Sequence, residues 1–197
     1  MKKLLSEMTL EELWVLFPII LREHNSDYSK WYELEKDNII GCVGLKNIKR
    51  INHIGSSSVK GLISKPTVDI LMEIGRDSKM EQLKVVLMND GWILMNEGDK
   101  GLVFNKGYTP DGFSEKVYHL HVRYLGDWDE LYFRDYLLVH RDVAEAYGEF
   151  KLSLLPKYRH NRDGYTEAKT DFIMRYTEKA REEFRDRYVP ESDMTPR

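Results

Sequence analysis

The chain has 197 residues, 42% hydrophobic and 32% charged, with a formal net charge of −3 and a single cysteine, Cys42. That length and balance fit one soluble globular domain spanning 1–197. The small negative charge excludes a sequence-wide attraction to nucleic acid or an anionic membrane, so any phosphate binding has to be local.

One cysteine rules out an internal disulfide, and there is no CxxC pair for zinc. The N-terminal apolar patches, broken by Glu7, Glu11 and Glu12, match neither a signal peptide nor a membrane span, and a cytoplasmic protein is expected. Thr9 and Glu12 form a capping-box pattern for a short helix that Pro18 ends. Ile19 to Arg22 reads as a short strand, and Trp31, Leu34, Ile39 and Ile40 as a longer helix. Ile48 to Ile54 is a strand by its apolar positions, and Thr67 to Ile74 has the β-branched and apolar content of a central strand. Ser78 is the expected cap of a helix carrying Met80, Leu83, Val86 and Leu87, which Asn89, Asp90 and Gly91 end. Trp92 to Met95 and Leu102 to Asn105 are short strands, and Lys116 to Leu125 a stronger one by alternation. The result is a mixed α/β (α+β) core over 1–126, with about five strands flanked by helices.

The C-terminal region, 127–188, reads as helices. Asp127 to Val139 and Asp142 to Leu155 look like an antiparallel pair, the second stopping at Pro156. The polar run KYRHNRDG, Lys157 to Gly164, is either a mobile loop or a phosphate-binding one. Thr166 to Tyr188 has the spacing of an amphipathic helix, and 189–197 reads as a flexible tail. Trp14, Trp31, Met80 and Met88 read as core.

The densest chemical signal is HIGSSSVKGLISKPTVDILME, His53 to Glu73. Gly55 permits a sharp turn and a close approach to a ligand, and Ser56 and Ser57 add hydroxyls and backbone N–H groups suited to an anion. Pro66 keeps Lys65 extended, and alternation puts Asp69, Leu71 and Glu73 on one face of the strand. Asp69, costly to bury in so apolar a run without a partner, is a candidate functional carboxylate; it could equally accept hydrogen bonds from the turn. Glu73, about 13 Å along the strand, is too far to share a metal with it. On VYHLHVR, His119, His121 and Arg123 share a face, which suits metal binding, acid–base work or phosphate, and also ordinary sheet-surface hydrogen bonding. Arg134 beside Asp135 is a phosphate ligand or a fixed ion pair; Lys151 and Lys169 come from separate helices that could converge. Tyr165 packs the last helix or stacks on a base. Dinucleotide-fingerprint, P-loop and zinc-protease motifs do not occur.

The segments GSSSVKGLISKPTVDI, VYHLHV, YFRDYLLVHRDVAEAYGEFK and YTEAKTDFI, in that order, resemble the GrpB family over about Leu21 to Ile173. The resemblance implies a nucleotidyltransferase-type fold, in which a loop holds triphosphate beside metal-binding carboxylates. The wider superfamily has a second carboxylate two residues after the first, where this chain has Leu71. The expected reaction is transfer of a nucleotidyl group from an NTP to a small-molecule acceptor. Asp69, His119 and His121 would be catalytic, with Asp69 and His121 on the metal, Mg or Mn; Gly55, Ser56, Ser57, Lys65, Arg123, Arg134, Lys151 and Lys169 would bind phosphate. The alternatives are a non-catalytic module binding a nucleotide or phosphometabolite, and a partner-docking domain.

Overall fold

The computed structural model describes residues 3–193. Helix α1 (Leu10–Leu16) is capped as its spacing predicts, with the Glu12 N–H donating to Thr9 Oγ1 and the Thr9 N–H to Glu12 Oε2. It ends at Phe17, because a proline forces its predecessor out of the helical region. Ile19 to Arg22 is not a strand of the sheet. The Ile19 N–H bonds to the Arg159 carbonyl, and Arg22 forms an isolated bridge with Ser64. A short apolar run signals burial, which Ile19 has, without fixing its partner.

Helix α2 (Tyr28–Val43) buries Tyr28, Tyr32, Ile39 and Val43 and stops at Gly44. Strands β1 (Ile48–Ile54), β2 (Val68–Ile74), β3 (Ile93–Gly98), β4 (Gly101–Thr109) and β5 (Gly112–Tyr124) form one sheet in the order β1-β2-β5-β4-β3. Only β2 and β5 run parallel. β4 and β5 exceed their expected lengths because their pairing continues to the Thr109–Gly112 turn. Helix α3 (Met80–Asn89) lacks the expected Ser78 cap: Lys79 holds the cap position, and the Ser78 N–H closes a turn on the Gly75 carbonyl.

One sheet face, including Ile70, Met72, Phe104, Leu120 and Val122, packs with α2 and α3 into the main apolar core. Full burial of each such side chain stabilises by roughly 1.5–3 kcal/mol. Against the opposite face lie the C-terminal helices α4 (Asp129–Val139), α5 (Arg141–Tyr158), α6 (Arg162–Ala168) and α7 (Thr170–Phe184), with Leu131 of α4 packed on Ile54 and Leu71.

Helix α5 runs past Pro156 to Tyr158. The carbonyl left without its helical donor belongs to Leu152, an exposed residue. The supposed loop at 157–164 is therefore the end of α5, a short turn and the start of α6, where Asn161 Oδ1 accepts from the Gly164 N–H at 2.8 Å. The last helix is divided at Lys169, which ends α6 and begins α7. At the start of the expected tail Pro190 is buried and its carbonyl accepts from the Asp193 N–H; 194–197 lie outside the described residues.

Candidate functional site

β1 ends at Ile54, opposite Asp69 on β2, and Gly55 then turns the chain with φ +70°. A Cβ at Gly55 would stand 2.5 Å from Asp69 Oδ2, so only glycine lets the turn close over the carboxylate. Ser56 to Ser58 form a single 3-10 turn. Their hydroxyls have different partners: Ser56 Oγ accepts from Lys151 Nζ at 2.9 Å, Ser57 Oγ meets His53 Nε2 at 3.0 Å, and Ser58 Oγ donates to the Gly55 carbonyl.

Parallel pairing sets Asp69 beside His119, Leu71 beside His121 and Glu73 beside Arg123. His119 Nδ1 lies 2.9 Å from Asp69 Oδ1, and its Nε2 lies 2.8 Å from the Tyr108 hydroxyl, which in turn accepts from Arg162 at 3.0 Å. Burial pulls the His119 pKa down to about 4, outweighing Asp69. A neutral ring donating from Nδ1 to Asp69 and accepting at Nε2 from Tyr108 satisfies this network. For Asp69, burial works upward, but the His119 hydrogen bond and the charges of His119, Lys65 and His121 hold its carboxyl below the usual range. Tyr108 reaches this face because of a β-bulge between Lys106 and Tyr108. Without the extra residue, alternation would turn Tyr108 toward the face where Lys106 meets Glu35. At the bulge Gly107 has φ +90°, and a Cβ there would collide with the Lys116 carbonyl.

Between this face and the C-terminal helices lies a cavity of about 590 Å³. It brings together nine of the predicted residues: Gly55, Ser56, Ser57, Lys65, Asp69, His119, His121, Lys151 and Lys169. Arg162 joins them. Burial, reinforced by neighbouring cations, lowers Lys65 to about 8 and Lys151 to about 7; burial also lowers Lys169. Two further carboxylates line the cavity, but Asp129 pairs with Arg181 and Glu130 with Arg123, both at 2.6 Å. Asp69 therefore faces Lys65, Lys151, Lys169 and Arg162 as the one lining carboxylate without an arginine partner among the described residues. Such an excess of positive charge in a partly buried site favours an anionic ligand.

Arg123 and Arg134 do not line the cavity. Arg123 makes a two-pronged contact with Glu130 and lies over the Trp128 ring, while Arg134 is held by Asp135, Asn52 Oδ1, the His53 carbonyl and the Tyr188 hydroxyl. Glu73 is fully buried in an ion pair with Arg50. Tyr165 is buried and lines the cavity, its hydroxyl without a hydrogen-bond partner among the described residues. Tyr108 and Arg162 were not singled out from sequence. The signal for Tyr108 was the isolated Gly107 within a strand, which marks a bulge. The signal for Arg162 was the basic KYRHNRDG run itself.

Among the described residues no three His, Cys, Asp or Glu side chains gather as a metal site. One carboxylate, with an oxygen already bonded to His119, does not form a standing site for Mg or Mn; it suits an ion that arrives with phosphate ligands of its own. No helix among the described residues is long and apolar enough to cross a membrane.

Comparison with known proteins gives these residues a family. The chain is 29% identical over 161 residues to the glutamate-rich protein GrpB of Alkalihalophilus pseudofirmus, covering 79% of this chain and 91% of that protein. A UPF0157 protein of Pseudomonas aeruginosa is 34% identical over 128 residues, 64% of this chain and 52% of that protein. The UPF0157 protein YqkA of Bacillus subtilis is 26% identical over 161 residues, 80% of this chain and 46% of that protein. The chain thus spans nearly all of the first relative and about half the length of the other two. The fold matches the crystal structure of the conserved protein GrpB from Enterococcus faecalis with a TM-score of 0.72 at 22% identity, covering 84% of this chain and 99% of that one. Residues 18–179 match the family described as GrpB protein, and the chain belongs to the GrpB family.

Proposed function

We propose that the cavity binds a phosphorylated small molecule, a nucleoside triphosphate foremost, and that the chain transfers a nucleotidyl group from it to a small-molecule acceptor. The observation that carries this reading is the closure of the Gly55 turn over Asp69 in a cavity walled by Lys65, Lys151, Lys169 and Arg162. Lys65, Lys169 and Arg162 offset phosphate charge, and the turn lets backbone approach the ligand closely. Asp69, kept ionised and oriented by His119, accepts a hydrogen bond from the acceptor hydroxyl. A divalent ion, when bound with the triphosphate, supplies positive charge at the phosphate oxygens, with Asp69 as its carboxylate and His121 as a further candidate ligand. The protein would act in the cytoplasm, where Cys42 stays reduced, and without nucleic acid as partner.

A second reading, a binding module without transfer, is favoured by Leu71. It occupies the position of the absent second carboxylate and is fully buried beside Ile54 and Leu131. Calorimetric titration with ATP, GTP, CTP and UTP, each with Mg²⁺ or Mn²⁺, tests both readings. Saturable binding by at least one nucleotide is expected, and binding by none sinks the proposal. Pyrophosphate release with candidate acceptors, lost in Asp69→Ala, supports transfer; binding that survives Asp69→Ala without any release favours the module.

A further inference from the structure

Lys151 has an unusual position for a lysine. Its residue is 3% exposed, and its Nζ bonds to the Ser56 hydroxyl and to the Ile63 carbonyl. Among the described residues no carboxylate is bonded to it. Of the charged groups acting on it, Lys169 and Lys65 have the same sign and Asp69 alone opposes them, while the Tyr147 ring lies 4.7 Å away. An ammonium buried without a paired carboxylate is costly, and the neutral amine is the cheaper form. Burial accordingly lowers its pKa to about 7. Once neutral, Lys151 offers a lone pair, and the hydrogen bond can reverse so that the Ser56 hydroxyl donates to it.

Ser56 differs from its neighbours. The Ser57 hydroxyl is engaged by His53 and the Ser58 hydroxyl by the Gly55 carbonyl, but Ser56 lines the cavity with its oxygen against an amine. A serine within hydrogen-bond reach of a lysine in a cation-rich cavity has the geometry of an activated nucleophile and its base.

We propose that Ser56 is a covalent nucleophile, activated by Lys151, which receives the phosphorus-centred group before it passes to the acceptor. The identity of the donor rests on the nucleotidyl reading above. In the first step Ser56 Oγ bonds to the α-phosphorus, and its proton goes to Lys151 Nζ. The bond from that phosphorus to the bridging oxygen breaks, and pyrophosphate leaves with the electron pair. In the second step the acceptor oxygen attacks the same phosphorus and the bond to Ser56 Oγ breaks. Lys151 returns the proton to Ser56, and the acceptor's proton passes to solvent. Lys65 and Lys169 lie on the donor side as charge, and Asp69 remains with the acceptor.

The test uses the full chain and a fluorophosphonate, a phosphorus electrophile that needs no nucleotide recognition. At pH 8, peptide mapping is expected to find the label on Ser56 and not on Ser57. Lys151→Arg, which keeps the charge but cannot act as a base, is expected to slow labelling on the order of 100-fold, as is Lys151→Met. The wild-type rate should rise with pH through the neutral range. An unlabelled Ser56, or an unchanged rate in a folded Lys151→Arg, overturns the inference. With a nucleotide that binds, intact-protein mass spectrometry should show a nucleotidyl adduct that Ser56→Ala lacks. Nucleotide binding with neither fluorophosphonate label nor adduct sinks the covalent step and leaves the nucleotide reading standing. Ser56 labelling without binding of any nucleotide sinks the nucleotide reading alone.

Discussion

The same strands present two unlike faces. On one, Ile70, Met72, Phe104 and Leu120 interlock with α2 and α3. On the other, one residue along each strand, stand Asp69, His119 and Asn105, with a cavity over them. The first face loses water to gain stability, whereas the second gathers like charges and leaves part of their cost unmet. Other charges of this face are neutralised in pairs, Glu73 with Arg50 and Glu130 with Arg123. Among the described residues Lys65, Lys151 and Lys169 have no such pairing, and the proposed anion site rests on that contrast.

The largest effect expected is on the apolar face. Leu120→Ala should cost roughly 2–5 kcal/mol in urea unfolding, and a cost below 1 kcal/mol would show a softer core than the structure describes. Next comes the turn. Gly55→Ala should cost on the order of 1–3 kcal/mol from backbone strain and, because its Cβ would press on Asp69, abolish calorimetric binding of any nucleotide the wild type binds. Lys169→Met should separate the two faces, weakening such binding about 10-fold or more while leaving the urea midpoint unchanged or raised, since it removes a half-buried charge. A fall in midpoint with binding intact would make Lys169 structural.

The pH dependences should differ in sign. Lys151 and Lys65 titrate near 7 and 8 in the fold and at an ordinary value of 10.5 when unfolded, so their contribution to stability is most adverse at or below 7–8 and improves toward 10.5. Anion binding needs the Lys65 ammonium and should weaken as the pH rises through about 8, with proton uptake visible as buffer-dependent heat. His119, lowered to about 4 from 6.5, stabilises less as pH falls from 6.5 to 4; ionised Asp69 withdraws its contribution only below its ordinary 3.8. The smallest effect is at the surface, where Arg141→Ala, which breaks an exposed pair with Glu145, should leave the thermal midpoint within 1 °C of wild type, by the usual near-zero worth of such pairs.

Alternation alone placed Asp69 with Leu71 and Glu73, and His119 with His121 and Arg123. It could not say that the two strands are adjacent, because that depends on a pairing across 50 residues. The ion-pair options for Arg134 and the core option for Tyr165 were legible from neighbours, but the capture of Arg123 by Glu130 was not, since it needs the bend between β5 and α4. Tyr108 and Arg162 were hidden for two reasons. A bulge reverses the face that alternation assigns, and the basic run expected as a loop, mobile or phosphate-binding, ends one helix and begins the next.

The parallel pairing of β2 with β5 also bears on the order of folding. The β3-β4-β5 meander closes through short turns, whereas β2 must wait for some 40 residues of intervening chain to find its neighbour, at a larger loop-closure cost. Since Asp69 and His119 meet only across that seam, and Lys151 and Lys169 arrive later in the chain, the cavity should be among the last parts to assemble. A bound anion should then retard unfolding and leave the refolding rate untouched, a partition that stopped-flow chevrons with and without pyrophosphate would reveal.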